Sequence, residues 1–520
     1  MHFSKGLRHL LRNFRSIHSN AESGLNLAFR AAEAQSTLPL RTGRDRLVIL
    51  GTGWAGARLV RDIDPHKYDI TVISPRNHLV FTPLLSSCCV GTLEARAVTL
   101  AIVDLQRALK KPYNYYYSAD CIAVDPTNKV VEARSADGIN FFVDYDVLAI
   151  ATGSQGSTFG IPGVEEHAHF LRDASHADSI RNKLIYNWNS ANIPGRSIAD
   201  RDRLLHTVVV GGGPTGVEFA GELADFIRRD LQRIDPDRGR DVRITLIEAN
   251  ELLGSFDARL REYAVGKLVK EGVHLLKAVV KEVRKTEIEL TNGQIIPFGL
   301  AVWSTGVGPT PFTLSLPFVK TPKGRIAIDE SLHVLMPFPH KQTSTVDGEN
   351  PSHAGPTEMS QVSLLTDEEQ PVDGQTVSES GALGIPVSDV YAMGDCCANA
   401  DTPLPALAQV AEQQGKFLAR ILNASAGGKK TNLTGVSSES LPAEKFVYKS
   451  LGSMAQIGGA RAILELERSP GKGVYSLAGF SSFVAWRSAY LTRLGTMKAR
   501  LFVFFNWSMT LLFGRDISRW

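Results

Sequence analysis

A chain of 520 residues is long enough for two or three domains with substantial cores. Its hydrophobic content of 43% and charged content of 21% are those of a globular protein, and a net charge of +3 is too small for a nucleic-acid footprint. Five cysteines (Cys88, Cys89, Cys121, Cys396, Cys397) make no Cys-x-x-Cys pair and no metal-ligand spacing, and no run of 18 apolar residues reads as a transmembrane helix.

Residues 1–44 carry Lys5, Arg8, Arg12, Arg15, Arg30, Arg41 and Arg44 against only Glu22 and Glu33. This basic, acid-poor start has the look of a mitochondrial transit peptide, a disordered basic tail being the alternative, and it is assigned to no domain. Residues 46–50 form an apolar strand that runs into Gly51-Thr52-Gly53-Trp54-Ala55-Gly56, then a helix over 57–63 and a strand over 68–73. That order is a dinucleotide-binding unit. Another buried strand, 141–150, leads into Ala151-Thr152-Gly153, and the unit is bounded at 45–200.

The pattern restarts at residue 205. Strand 205–210 enters Gly211-Gly212-Gly213-Pro214-Thr215-Gly216, a helix is expected over 217–231, and strand 242–247 ends at Glu248. Residues 300–303 then meet Ser304-Thr305-Gly306, echoing Ala151-Thr152-Gly153, so the second unit covers 201–337. Segment 338–382 is polar and aperiodic, as expected of a disordered insertion. It lacks the alternating ligands and sixth-position glycine of a calcium loop, and no metal is expected. The chain returns to its first unit with 390–395, ending Gly394-Asp395, so that 383–422 completes it. A polar linker, 423–442, precedes a module of different character, 443–520. The expected fold is α/β: two Rossmann-type units, the second inserted in the first, plus a C-terminal module.

Two glycine turns, each after a strand and before a helix, carry a specific chemical requirement. The first glycine takes a tight turn, the second admits a pyrophosphate, and the third lets helix and strand pack closely. Glu248 ends the second strand of its unit, where a carboxylate chelates ribose hydroxyls and repels a 2′-phosphate; that favours NADH over NADPH. The same place in the first unit holds Ser74-Pro75-Arg76, which departs from the acidic pattern, and Arg76 suits either the adenosine side or solvent.

With these turns in place the chain resembles the two-dinucleotide-binding-domain flavoproteins. Within them it resembles the eukaryotic type II (non-proton-pumping, rotenone-insensitive) NADH:ubiquinone oxidoreductases, over residues 46–337 and 383–520. The motifs are Ser74-Pro75-Arg76 with residues 81–85, residues 90–94, the second turn through Glu218, residues 408–413, and 486–491 with 513–518. The resemblance implies FAD on Gly51, Gly53, Gly56, Ser74, Arg76, Thr82, Pro83, Thr152, Gly153, Gly394 and Asp395. It implies NADH on Gly211, Gly213, Gly216, Glu248 and Gly306. Gln409 and Gln413 match paired catalytic glutamines near the flavin, where nicotinamide and quinone chemistry meet, and their spacing of four puts them on one helical face, able to point at one site, a polar helix surface being the alternative. Glu218 matches a glutamate that orients nicotinamide or relays protons, although its place equally suits an ordinary first-turn helix acid.

The implied reaction is hydride transfer from NADH to FAD, then two electrons to ubiquinone. It needs no catalytic cysteine, which separates the chain from disulfide reductases. Sulfide:quinone oxidoreductases also need placed cysteines, and adjacent Cys88 and Cys89 are poorly spaced for that. A redox-signalling flavoprotein like the apoptosis-inducing factors is the rival class, against which the glutamine pair and the tail both argue.

That tail holds Arg487, Arg493, Lys498, Arg500, Arg515 and Arg519 with Asp516 as its only acid. Residues 501–514 are charge-free and include Phe502, Phe504, Phe505, Trp507 and Phe513. The stretch is short of the roughly 20 residues that span a bilayer but suits an interfacial helix. A core or dimer-packing helix is the alternative. Residues 480–520 are expected to dock peripherally on the mitochondrial inner membrane and open a path for quinone, and the resemblance implies a homodimer.

Overall fold

The computed structural model describes residues 39–338, 383–425, 444–467 and 474–518. The basic start before residue 39, the polar stretch 339–382 and most of the linker 423–442 lie outside the described residues.

The first unit is built on an eight-stranded sheet. Its strand Asp45–Leu50 pairs in parallel with Tyr68–Ile73 on one side and Val147–Ile150 on the other. Strands covered on both faces are largely apolar, and residues 47–50 and 70, 72 and 73 are almost fully buried. On its other edge Val147–Ile150 pairs with Ile385–Ala392, a strand from the far side of the insertion. The second unit is thus inserted in the first.

That inserted unit has a five-stranded parallel sheet: His169–Phe170, Leu300–Trp303, His206–Val210, Arg243–Glu248 and Val273–Lys277, in that order. Each unit also carries a three-stranded antiparallel sheet, Ala119–Asp125 to Asn140–Asp144 in the first and Val280–Val283 to Ile295–Pro297 in the second. The helix expected over 217–231 begins at the turn itself, as Pro214–Phe226, and continues as one π-helical turn, Ile227–Leu231.

The C-terminal module has a three-stranded sheet, Ser453–Gln456, Ala462–Glu467 and Val474–Gly479, followed by helices Phe480–Arg493 and Met497–Phe513. The last helix buries Ala499, Val503 and Trp507, one residue per turn, which is a narrow stripe. Leu501, Phe504, Phe505, Leu511, Leu512 and Phe513 stand 60% or more exposed. No helix among the described residues is long and apolar enough to cross a membrane.

Candidate active site

Backbone contact shapes both glycine turns. Gly51 sits at φ +98°, and a Cβ there would lie 2.4 Å from the Ala151 carbonyl oxygen; one at Gly56 would lie 2.0 Å from Gly51 O. The second turn repeats this against Ser304-Thr305-Gly306, with a Gly216 Cβ 2.0 Å from Gly211 O. Gly53 and Gly213 differ, because nothing lies within 4 Å of where their Cβ would stand. Both cap helices, Trp54–Asp62 and Pro214–Phe226, that no side chain caps. Open space before a helix N-terminus with free N–H groups fits a pyrophosphate, so the residues present fit a dinucleotide at each turn.

Glu248 lies against the second turn. Its Oε2 accepts the Gly212 N–H at 2.6 Å and its Oε1 the Asn250 N–H at 2.8 Å. At the first turn Ser74 is buried, with its hydroxyl 3.1 Å from that of Thr52 and accepting the Arg76 N–H at 3.3 Å. Arg76 is ion-paired with Asp173. The next residue back, Arg172, donates to Ser154 Oγ at 2.8 Å, and Ser154 Oγ donates to Asp395 Oδ2 at 2.8 Å. Gly394 is fixed by Gln414, whose Oε1 accepts its N–H at 2.7 Å. Ser154, Arg172, Asp173 and Gln414 were not singled out in the sequence. Only Ser154, directly after Thr152-Gly153, and Gln414, beside Gln413, had a neighbouring motif to signal them.

Trp54, inside the first turn, donates its indole N–H to Thr82 Oγ1 at 3.1 Å, drawing Thr82 and Pro83 to the turn. Phe81 packs on Trp54 and meets Tyr490 edge-on at 5.8 Å, and Tyr490 meets Trp486 at 4.9 Å. Trp486 and Tyr490 belong to the C-terminal helix Phe480–Arg493, and both neighbour Glu218. The first unit, the inserted unit and the C-terminal module therefore converge on Glu218. Burial pushes its carboxyl up to about 8, partly offset by the Gln456 N–H, which donates to its Oε1 at 3.2 Å, and Glu222 raises it further. Glu218 is 6% exposed, so the exposed first-turn acid is not what the fold presents.

Gln409 and Gln413 share a face of helix Ala408–Ser425, but their amides are bonded to backbone. Gln413 accepts the Lys449 N–H at 3.1 Å and donates to Lys449 O at 2.8 Å; Gln409 accepts the Leu451 N–H at 3.1 Å and donates to Gly452 O at 3.4 Å. A helical step of four matches an extended step of two, so the pair grips segment 449–452 as a strand would.

The pyridine nucleotide-disulphide oxidoreductase family model matches residues 45–338, and the NDH2 C-terminal domain model matches 450–516. The mitochondrial internal alternative NAD(P)H-ubiquinone oxidoreductase A1 of Solanum tuberosum is 46% identical, covering 92% of this chain and 88% of its own. That of Arabidopsis thaliana is 44% identical, covering 92% and 87%. The chain belongs to the alternative NAD(P)H-ubiquinone oxidoreductases. A probable NADH dehydrogenase of Dictyostelium discoideum, 35% identical, covers 99% of each chain. In fold, the alternative oxidoreductase here matches NDH2 of Plasmodium falciparum in complex with NADH, with a TM-score of 0.74 at 23% identity over 91% of this chain and all of the other. The sulfide:quinone oxidoreductase of Aquifex aeolicus shares the fold at a TM-score of 0.58 and 16% identity, covering 91% and 96%. In this alternative oxidoreductase all four of Cys88, Cys89, Cys396 and Cys397 are buried and unpaired, and burial raises the Cys88 and Cys89 thiols.

Proposed function

We infer that this chain is a mitochondrial, non-proton-pumping NADH:ubiquinone oxidoreductase dependent on FAD. The observation that carries this reading is the convergence of two open glycine turns and the family's C-terminal domain on buried Glu218. When bound, FAD supplies the redox chemistry, accepting hydride from NADH and delivering two electrons to ubiquinone. In this reading residues 45–200 and 383–422 form the FAD-binding domain and 201–337 the NADH-binding domain. Gly51, Gly53 and Gly56 take the FAD pyrophosphate, with Ser74, Arg76, Thr82, Pro83, Thr152, Gly153, Gly394 and Asp395 along the cofactor. Gly211, Gly213, Gly216 and Gly306 take NADH, and Glu248 holds its ribose. Glu218 keeps a proton on its carboxyl at neutral pH, with Tyr490 within electrostatic reach. Gln409 and Gln413 fix the wall that segment 449–452 adds to the quinone side.

Steady-state NADH oxidation by FAD-loaded protein, with and without a short-chain ubiquinone, tests the function. Quinone should accelerate turnover, and equal rates would remove the reading. In the same assay Glu248→Gln should raise the NADPH-to-NADH ratio of kcat/KM by about tenfold, because repulsion of a 2′-phosphate is lost.

The C-terminal module, 443–520, is assigned to the inner-membrane surface and to a homodimer. An exposed band of Leu501, Phe504, Phe505, Leu511, Leu512 and Phe513 is too apolar for water, and Arg493, Lys498 and Arg500 flank it for anionic lipid. Phe504→Glu with Leu512→Glu should move the protein from pelleted cardiolipin-containing vesicles to the supernatant; unchanged sedimentation would refute lipid docking. Light scattering in detergent should give twice the chain mass, and a monomer would remove the dimer.

A further inference from the structure

Helix Met497–Phe513 ends at Gly514, whose φ of +85° turns the chain inward. A Cβ at Gly514 would lie 2.8 Å from Asp230 Oδ1, so the turn is seated against that carboxylate. It delivers Arg515, whose side chain is 6% exposed. Arg515 Nε donates to Thr92 Oγ1 at 2.8 Å, Nη1 to Asp230 Oδ2 at 2.8 Å and Nη2 to Glu222 Oε2 at 3.0 Å. Its backbone N–H donates to Asp230 Oδ1 at 3.0 Å. Thr92 lies in the first unit, Glu222 and Asp230 in the inserted one. A single guanidinium thus ties three parts of the chain.

The π-helical turn Ile227–Leu231 makes this possible. Glu222 and Asp230 are eight residues apart, more than two α-turns, and the extra residue of a π turn brings Asp230 back onto the face of Glu222. Arg228 and Arg229 point out beside it, 47% and 49% exposed. Glu222 is fully engaged as well. Its Oε1 accepts Ser87 Oγ at 3.0 Å and Gln456 Nε2 at 2.8 Å, and its Oε2 accepts Thr92 Oγ1 at 2.9 Å. One turn earlier, Glu218 Oε1 accepts the backbone N–H of the same Gln456 at 3.2 Å.

We propose that Arg515 is a positioning residue for the flavin reaction: by clamping Glu222 and Asp230 to Thr92 it sets, through Gln456, where the Glu218 carboxyl stands. Seating of the tail and geometry of the site are then one equilibrium. The proposal rests on the reading of Glu218 as a catalytic residue. Charged and titratable groups that face this helix among the described residues include Glu222 and Asp225 on it, Arg229 and Asp230 on its π turn, Cys88 and Cys89 on helix Leu85–Cys89, Arg487 and Tyr490 on helix Phe480–Arg493, and Arg515 on the tail. Burial would push Glu222 up, but Arg515, Thr92 and Ser87 hold it below its ordinary value. A lysine at 515 keeps the charge and loses the planar fork that spans three partners.

Full-length, FAD-loaded Arg515→Lys, Asp230→Asn and Glu218→Gln proteins test this with NADH and a short-chain ubiquinone. Arg515→Lys should lower kcat by about tenfold with the KM for NADH and flavin per protein held within about twofold, and it should shift the alkaline limb of the kcat–pH profile. Asp230→Asn should do the same by about threefold, and it decides the matter if Arg515→Lys does not fold. Hydrogen exchange over residues 497–516 should quicken in both. Parent kcat and parent pH profile in folded Arg515→Lys or Asp230→Asn, alongside a Glu218→Gln protein that has lost the limb, would overturn the coupling alone. An unchanged profile for Glu218→Gln would overturn the reading of Glu218 and the coupling with it.

Discussion

A Gly51→Ala protein is expected to lack FAD and to melt well below the parent, whereas Gly53→Ala is expected to fold normally and still bind FAD poorly. The two glycines lie two residues apart and fail for different reasons. At Gly51 the backbone is left-handed, which costs an alanine about 1–2 kcal/mol, and its Cβ would meet the Ala151 carbonyl at 2.4 Å. That carbonyl follows strand Val147–Ile150, hydrogen-bonded on both sides, so it cannot yield without shifting the sheet. At Gly53 nothing beyond its chain neighbours lies within 4 Å of where a Cβ would stand, and an alanine cap changes helix stability by about 1 kcal/mol at most. The added methyl instead occupies the space before the helix N-terminus that a pyrophosphate needs. Visible flavin absorbance per protein and thermal melting separate the cases. Full flavin content in Gly53→Ala would mean that the open space is not where the phosphates lie.

The strands and turns that build this region were legible because each is a short, β-branched apolar run stopped by glycines. Residues 46–50, 68–73, 205–210 and 300–303 fall within a residue or two of the observed strands, and residue 248 ends its strand at the second turn. The nested order was legible too, since Gly394-Asp395 completes a unit begun at residue 45. The polar links behind the turns were not. Arg76 meets Asp173 across 97 residues and Ser154 meets Asp395 across 241, and nothing local in either segment announces its partner. The π turn was illegible for another reason: apolar residues recur through 223–231 closely enough to read as unbroken α-helix. Spacing placed Gln409 and Gln413 on one face, but the backbone they grip lies about 40 residues away, beyond any periodicity. In the tail the charge-free run was plain, while the inward turn at Gly514 depends on tertiary contact with Asp230.

Glu218→Gln is expected to stabilise the protein in alkaline solution and to slow it, a pairing that ordinary surface acids do not show. The carboxyl is held at about 8, against 4.5 ordinarily, so the folded state binds a proton that the unfolded state has released between those values. Stability contributed by this group is therefore fully present below pH 4.5 and is lost as pH rises towards 8, at about 1.4 kcal/mol per pH unit. Above pH 8 the folded protein holds a buried carboxylate whose near neighbour Glu222 is also negative, and the accumulated cost reaches about 5 kcal/mol. Glutamine keeps the shape and the oxygen that accepts the Gln456 N–H but never ionises. Melts of parent and variant should coincide near pH 4.5 and diverge towards pH 9 with the variant higher. Parallel curves across that range would show that Glu218 does not hold its proton as the buried site requires. Turnover should respond oppositely, because a buried group that retains its proton near neutral pH can release and regain it during quinone reduction, and an amide cannot. A fall in kcat of about 10²-fold is the size expected for one proton-transfer group.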